Sequence, residues 1–309
     1  MHSIMTSNRI ITSVLVCLML LIAVGQAQAS TGGQRVYIWQ GTQLGKQDVY
    51  YTLYRPSRPT GVGIVVCPGG SYFWLDMHTE GAQVAQALNE RGITAVVLKY
   101  RVAGKSAFVT HYRVAGGGNH HPYMIQDLQR TIQLVRENAT SYGIDAHKIG
   151  VMGFSAGGHQ ALMSAVNATT NFMEPLGLRP AVSLAPDFVA AIYPVVSMSS
   201  QWTHGRSRRG LMSEKWQNDP VLRDSLSMEL HARRIKCPVF LLNCLDDPVV
   251  DYHNSVLMDS ALSAAGVAHR YLQFKTGRHG FGTTASKTSP EAATWLDTFV
   301  DWLKQIKIL

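Results

Sequence analysis

Gly153-Phe154-Ser155-Ala156-Gly157 is a serine flanked two residues either way by glycine. This is the spacing of a nucleophile held on a sharp turn between a strand and a helix. Ile149, Val151 and Met152 supply the strand, and Gln160, Ala161, Leu162, Met163 and Ala165 supply the helix. The glycines answer a steric need, since a side chain there would collide with the turn that forces the serine into a strained backbone. The competing reading is an ordinary strand-to-helix connection with an N-capping serine. The matched context on both sides argues against it.

A serine hydroxyl is a weak nucleophile and needs a base in hydrogen-bond reach, itself oriented by a carboxylate. After such an elbow the acid and then the base follow along the chain. Asp246 and Asp247 stand directly after the apolar run Val239 to Asn243, which places an acid at the end of a strand. Of the twelve histidines, only His269 and His279 lie beyond that loop and the helix opening at His253. His269 precedes its strand, at the wrong end of a sheet. His279 follows it, in Gly277-Arg278-His279-Gly280-Phe281-Gly282, where the glycines leave room for an imidazole.

An acyl-transfer site also needs backbone donors for the oxyanion. Pro68-Gly69-Gly70-Ser71-Tyr72 follows the early run Val62 to Cys67, and Gly70 and Ser71 are the expected donors there. Ala156, at the start of the helix after the nucleophile, is the third. Tyr72, Phe73 and Trp74 suit either the wall of an acyl pocket or ordinary core packing.

The elements that must position these residues are alternating apolar strands and amphipathic helices. Strands are expected at 36–39, 49–54, 62–67, 93–98, 148–154, 188–193, 239–243 and 271–274. Helices are expected at 79–91, 125–138, 156–166, 253–265 and 292–306. Residues 103–119 read as a glycine-rich exposed segment. Residues 197–234 read as an irregular, polar cap, with Arg206, Arg208 and Arg209 on a solvated loop. The alternation gives an α/β fold, a mostly parallel sheet with helices on both faces and a small cap insertion.

Arg9 is the only charged residue before Arg35, and the fifteen residues from Ile10 to Val24 are nearly all apolar. With Ala27-Gln28-Ala29 following, residues 1–29 read as a signal peptide cleaved near Ala29, the run being short of the about 20 needed to span a bilayer. The mature chain is then a single domain, residues 30–309, secreted or periplasmic. A hydrophobic fraction of 46% and a charged fraction of 16% are those of a folded globular protein. The net charge of +8 is spread along the chain without a nucleic-acid-binding motif. Cys17 falls within the signal peptide, and the three cysteines that remain, Cys67, Cys237 and Cys244, are an odd number, so no disulfide scaffold is expected, and none has zinc-ligand spacing.

The set Cys67-Pro-Gly-Gly-Ser-Tyr72, Ile149 to Gly158, Asp246-Asp-Pro-Val-Val250 and Gly277 to Gly282 resembles the bacterial acetyl xylan esterase and feruloyl esterase-like (BD-FAE-like) branch of the α/β-hydrolase superfamily. His121-Pro122 with Asp127 and Arg130, and Asn254-Ser255, are similar to that branch too. The resemblance runs from about Tyr51 to Leu303. It implies an α/β-hydrolase fold and a serine carboxylic-ester hydrolase, with no cofactor and no metal, acting on a small-molecule or oligosaccharide ester. Removal of acetyl groups from hemicellulose-type carbohydrate comes first, and a feruloyl or general short-chain carboxylesterase second. A catalytically silent hydrolase-fold binding protein is the alternative of another class. The resemblance also selects Asp247 as the acid, three residues before the Val250 of an Asp-x-x-Val pattern. This sequence departs from the branch at Asp251, where proline is usual, and at Ser71, against the third glycine of lipase-type loops.

Overall fold

Eight strands form one sheet, in the order β1-β2-β4-β3-β5-β6-β7-β8. They are β1 Gln34–Tyr37, β2 Tyr50–Tyr54, β3 Gly61–Cys67, β4 Thr94–Lys99, β5 Ile144–Phe154, β6 Phe188–Ile192, β7 Val239–Cys244 and β8 His269–Phe274. The computed structural model describes residues 33–110 and 118–309. The expected signal peptide, residues 1–29, lies outside them, as does the middle of the glycine-rich segment. The pairings β1/β2 and β2/β4 are antiparallel, and every pairing from β4 to β8 is parallel. All the parallel strands therefore end on one edge, and the loops leaving that edge converge.

Burial follows the two-residue period of a strand. Val62, Ile64 and Val66 of β3 enter the core on one face, while Val65 and Cys67 enter the core on the other. Phe240 and Leu242 of β7 alternate with Val239 and Leu241 in the same way. Both faces are covered, which explains the continuous apolar runs of the central strands. One face is covered in part by α1 Gln83–Asn89 and α8 Trp295–Gln305. The other is covered in part by α3 Tyr123–Glu137, α4 Ala156–Val166 and α7 His253–Ala264.

Two regions differ from the sequence expectation. Residues 103–119 contain a short helix, α2 Lys105–Thr110, with Ala103 and Ala107 buried against Phe73. The cap is not irregular, for it contains α5 Gly205–Trp216, α6 Pro220–Ser225 and a 3-10 segment Met228–Arg234. The arginine trio accordingly lies on a helix. Arg209 is laid over the Phe73 and Phe108 rings at 4.9 and 5.3 Å. Charge disguised this packing, because an arginine stem covers apolar surface while its head stays polar.

A buried ion pair ties the first segment of the domain to α3. Asp127 is wholly buried and accepts hydrogen bonds from the Trp39 indole (2.7 Å), the Arg101 backbone N–H (2.8 Å) and the Arg101 guanidinium (2.8 Å). Arg101 also lies over the Tyr123 ring at 4.7 Å. Removing one partner leaves the other charge buried and uncompensated. Asp127→Ala is expected to cost about 3–5 kcal/mol, read as a fall in the guanidinium unfolding midpoint.

Candidate active site

The turn from β5 into α4 sets Ser155 at φ 54° and ψ −118°, a conformation that L-residues rarely adopt. The flanking glycines make it possible. A Cβ on Gly153 would stand 1.9 Å from the Gly157 carbonyl oxygen, and one on Gly157 would stand 2.0 Å from the Cys67 carbonyl oxygen. The turn is pinned to the next strand by Ser155 N–H donating to Ile192 O (3.0 Å) and Val195 N–H donating to Ser155 O (3.1 Å). Among the described residues the serine hydroxyl itself has no hydrogen-bond partner. Catalytic hydrogen bonds of this kind are often long before substrate is bound.

The loops after β7 and β8 bring the expected acid and base together. His279 Nδ1 lies 2.6 Å from Asp247 Oδ2. Asp247 is nearly fully buried, and its second oxygen accepts from the N–H groups of Val249 (2.8 Å) and Val250 (3.0 Å). The neighbouring Asp246 has a different task. Its carboxylate accepts from the N–H groups of Gly277 (2.9 Å) and Arg278 (2.8 Å), joining the acid loop to the histidine loop. His269 opens β8 at the opposite end of that strand and contacts Asp259 at 3.0 Å.

Asp251, where the resembling family has proline, accepts from the His253 N–H (2.9 Å) and lies 2.7 Å from His253 Nδ1. The loop is thus tied to the first residue of α7, and the His253 ring stacks on Trp202 at 3.9 Å.

The oxyanion loop is tightly wound, with Gly70, Ser71 and Tyr72 at φ 140°, 55° and 63°. Ser71 thus stands in a left-handed conformation that glycine would adopt without strain. Neither the Gly70 nor the Ser71 N–H is donated to a described residue. The Ala156 N–H belongs to the first turn of α4, where it has no intrahelical acceptor. The Gly69 N–H, in contrast, is taken by Glu80 Oε2 at 2.7 Å. Tyr72 and Phe73 are buried, so the loop's first two aromatics serve the core. The cap helix packs directly here, since a Cβ on Gly210 would stand 2.3 Å from the Ser71 carbonyl oxygen.

Sequence reasoning missed several residues around this centre. Glu80 reads as a polar position of an amphipathic run, yet it is 3% exposed. Tyr193 reads as the end of a strand, yet its ring packs 4.7 Å from that of His279. His204, before α5, is within electrostatic range of both His279 and Asp247, and burial pushes it down to about 4. A lone buried polar residue carries no periodicity or motif, so no sequence signal marks these three.

His159, on α4, is wholly buried between the oxyanion loop and the cap. Its Nε2 lies 2.8 Å from the Leu226 carbonyl oxygen and its Nδ1 2.8 Å from the Tyr72 hydroxyl. A carbonyl only accepts, so Nε2 carries the proton and Nδ1 accepts from Tyr72.

The scan of family models matches residues 48–262 to BD-FAE. An acetylxylan esterase of Xylanibacter ruminicola is 30% identical over 264 residues, covering 82% of this chain and 47% of that protein. The chain spans about half the length of the curated relatives it matches. Among solved structures, the acetyl ester-xyloside bifunctional hydrolase of Caldicellulosiruptor lactoaceticus superposes with a TM-score of 0.74 at 30% identity, covering 90% of this chain and 97% of that one. The carboxylesterase Cest-2923 of Lactobacillus plantarum superposes with a TM-score of 0.70 at 21% identity, covering 90% and 98%, and shares the fold.

Burial pushes His159 down to about 4 from the ordinary 6.5. An unfolded chain therefore takes up this proton first, and the stability His159 contributes above pH 6.5 is lost as pH falls from 6.5 toward 4. The slope is about 1.4 kcal/mol per pH unit for one such group. His159→Gln keeps a donor and an acceptor without the titration. The stability advantage of wild type over this variant is expected to shrink steadily across that window in urea unfolding. An advantage independent of pH would refute the neutral assignment.

Proposed function

The chain belongs to the BD-FAE family, and from that premise we propose that it is a serine carboxylic-ester hydrolase that removes acetyl groups from hemicellulose-type carbohydrate. The observation that carries this reading is the buried 2.6 Å Asp247–His279 pair, set on the same sheet edge as an elbow serine. The names of the Xylanibacter relative and the Caldicellulosiruptor structure support the acetyl-sugar assignment.

The tautomer follows from the hydrogen bond. Asp247 as a carboxylate accepts, so His279 Nδ1 carries the proton and Nε2 is left with a free lone pair. Ser155 attacks the ester carbonyl while Nε2 takes the hydroxyl proton. Asp247 holds the ring and favours the imidazolium that forms. The tetrahedral oxyanion accepts from the N–H groups of Ala156, Gly70 and Ser71, each worth about 3 kcal/mol in such sites. Collapse expels the sugar alcohol, protonated by His279, and leaves an acetyl-enzyme. Water, activated by His279, then releases acetate and restores Ser155.

The cap helix lies against the oxyanion loop at Gly210, which supports a role for residues 197–234 in choosing the leaving group. A polysaccharide-derived ester is an extracytoplasmic substrate. The proposed location is therefore secreted or periplasmic, after removal of residues 1–29.

The mature protein, residues 30–309, is expected to turn over p-nitrophenyl acetate and to release acetate from acetylated xylan. Ser155→Ala and His279→Ala are each expected to lower kcat by about a thousandfold or more. Asp247→Asn should lower it strongly with the fold intact. Faster turnover of feruloyl than of acetyl esters would move the assignment within the family. A folded wild type inert on all of these would leave a binding role in place of hydrolysis.

A further inference from the structure

One carboxylate beside the base is unused by this mechanism. Glu80 lies on a single turn of π-helix, His78–Ala82, that leads into α1. Its Oε2 accepts from the Gly69 N–H at 2.7 Å, and its Oε1 accepts from the Tyr193 hydroxyl at 2.9 Å. The Tyr193 oxygen in turn accepts from the Gly282 N–H at 3.0 Å. Glu80 therefore links the oxyanion loop to the histidine loop through one tyrosine. Both links are short of slack. A Cβ on Gly69 would stand 2.7 Å from Glu80 Oε2 and 2.9 Å from Ser155 Cβ, and one on Gly282 would stand 2.4 Å from the Thr79 carbonyl oxygen.

A carboxylate buried to this degree is costly unless hydrogen-bonded and near positive charge. The hydrogen bonds are supplied by neutral donors, and the Tyr193 that donates to Glu80 packs its ring 4.7 Å from that of His279, so the cation within electrostatic reach of Glu80 is His279 rather than a lysine or arginine. That cation exists only when the base is protonated. We propose that Glu80 is a positioning residue of the base: it fixes the spacing of the His279 and oxyanion loops through Tyr193, and its charge favours the imidazolium formed during acyl transfer. This rests on the serine-esterase reading above.

The groups facing His279 are few. Asp247 comes from the loop after β7, Tyr193 from the end of β6, Glu80 from the π-turn and His204 from the start of the cap helix. His204 is neutral at assay pH because burial and Arg206 push it down to about 4. Two carboxylates thus share the work of stabilising one imidazolium. Burial, with a smaller contribution from Asp76, raises the proton affinity of Glu80, and the His279 charge opposes that rise.

The test is the pH profile of kcat/KM on p-nitrophenyl acetate for wild type, Glu80→Gln, Glu80→Asp and Tyr193→Phe. Glu80→Gln is expected to lower the plateau about tenfold or more and to move the acid limb to lower pH by about half a unit or more, because a negative charge near the base is lost. Glu80→Asp and Tyr193→Phe keep the charge and loosen the bridge, so their plateaus should fall while the acid limb stays. A Glu80→Gln plateau lowered with the acid limb unmoved would leave Glu80 a purely structural role and overturn the electrostatic half. Wild-type turnover in Tyr193→Phe would overturn the bridge. If Glu80→Gln fails to fold, a shifted acid limb in Glu80→Asp overturns the proposal. If wild type turns over no ester, the esterase reading fails instead. The His279 ring-proton titration by NMR then still reads Glu80, with a lower midpoint expected in Glu80→Gln and an unchanged one overturning the proposal.

Discussion

Everything at this site depends on one strained residue. Ser155 occupies a backbone conformation that L-residues rarely adopt, and it is held there by a turn with no room for a Cβ on either flank. The close approach of Gly157 to the Cys67 carbonyl makes β3 part of the same constraint. The oxyanion loop leaves β3 one residue later. The position of Ser155 relative to the oxyanion loop is therefore constrained by a close approach of two backbones. A contact of this kind transmits displacement directly, because close-packed atoms have little slack to absorb it.

Around that rigid centre the remaining loops are joined by polar bonds rather than by apolar packing alone. Asp246 joins the acid and histidine loops, Glu80 and Tyr193 join the histidine and oxyanion loops, and His159 joins the oxyanion loop to the cap. All but the exposed Asp246 are buried, and the partners of each are fixed in direction. Apolar contacts would keep these loops close, but they would tolerate sliding. Hydrogen bonds specify angle as well as distance, and acyl transfer needs its groups held to within about half an ångström.

The central sheet and its helices were legible in the sequence because burial on both faces writes long apolar runs, and α4 matches its expected span of 156–166. Ser155, Asp247 and His279 were legible as a chain order, with Asp247 separated from Asp246 only by family resemblance. The structure places the Asp247 carboxylate on His279 and the Asp246 carboxylate on the backbone of 277–278. The helices of the cap leave no such mark, because α5 is rich in arginine and serine and buries little of its length, so no apolar stripe announces it. Glu80, Tyr193 and His204 were invisible for a different reason. The partners of Glu80 lie 11 and 113 residues away in sequence, and His204 reaches His279 and Asp247 only through the fold, so neither contact leaves a local pattern.

The two departures from the family pattern carry different consequences. Ser71 sits at φ 55°, so its side chain costs backbone strain that a glycine there would avoid. Its N–H remains undonated, so the strain falls on a residue suited to hold the oxyanion. Asp251 costs nothing comparable, because its carboxylate is spent on the His253 N–H and imidazole at the opening of α7. It thereby orients His253 against Trp202, a residue of the cap. A proline at this position could make neither bond, having no side-chain acceptor. The departure therefore exchanges the stiffness of a proline for side-chain bonds that link the acid loop to the cap. The same carboxylate thus fixes the end of the acid loop and its contact with the cap.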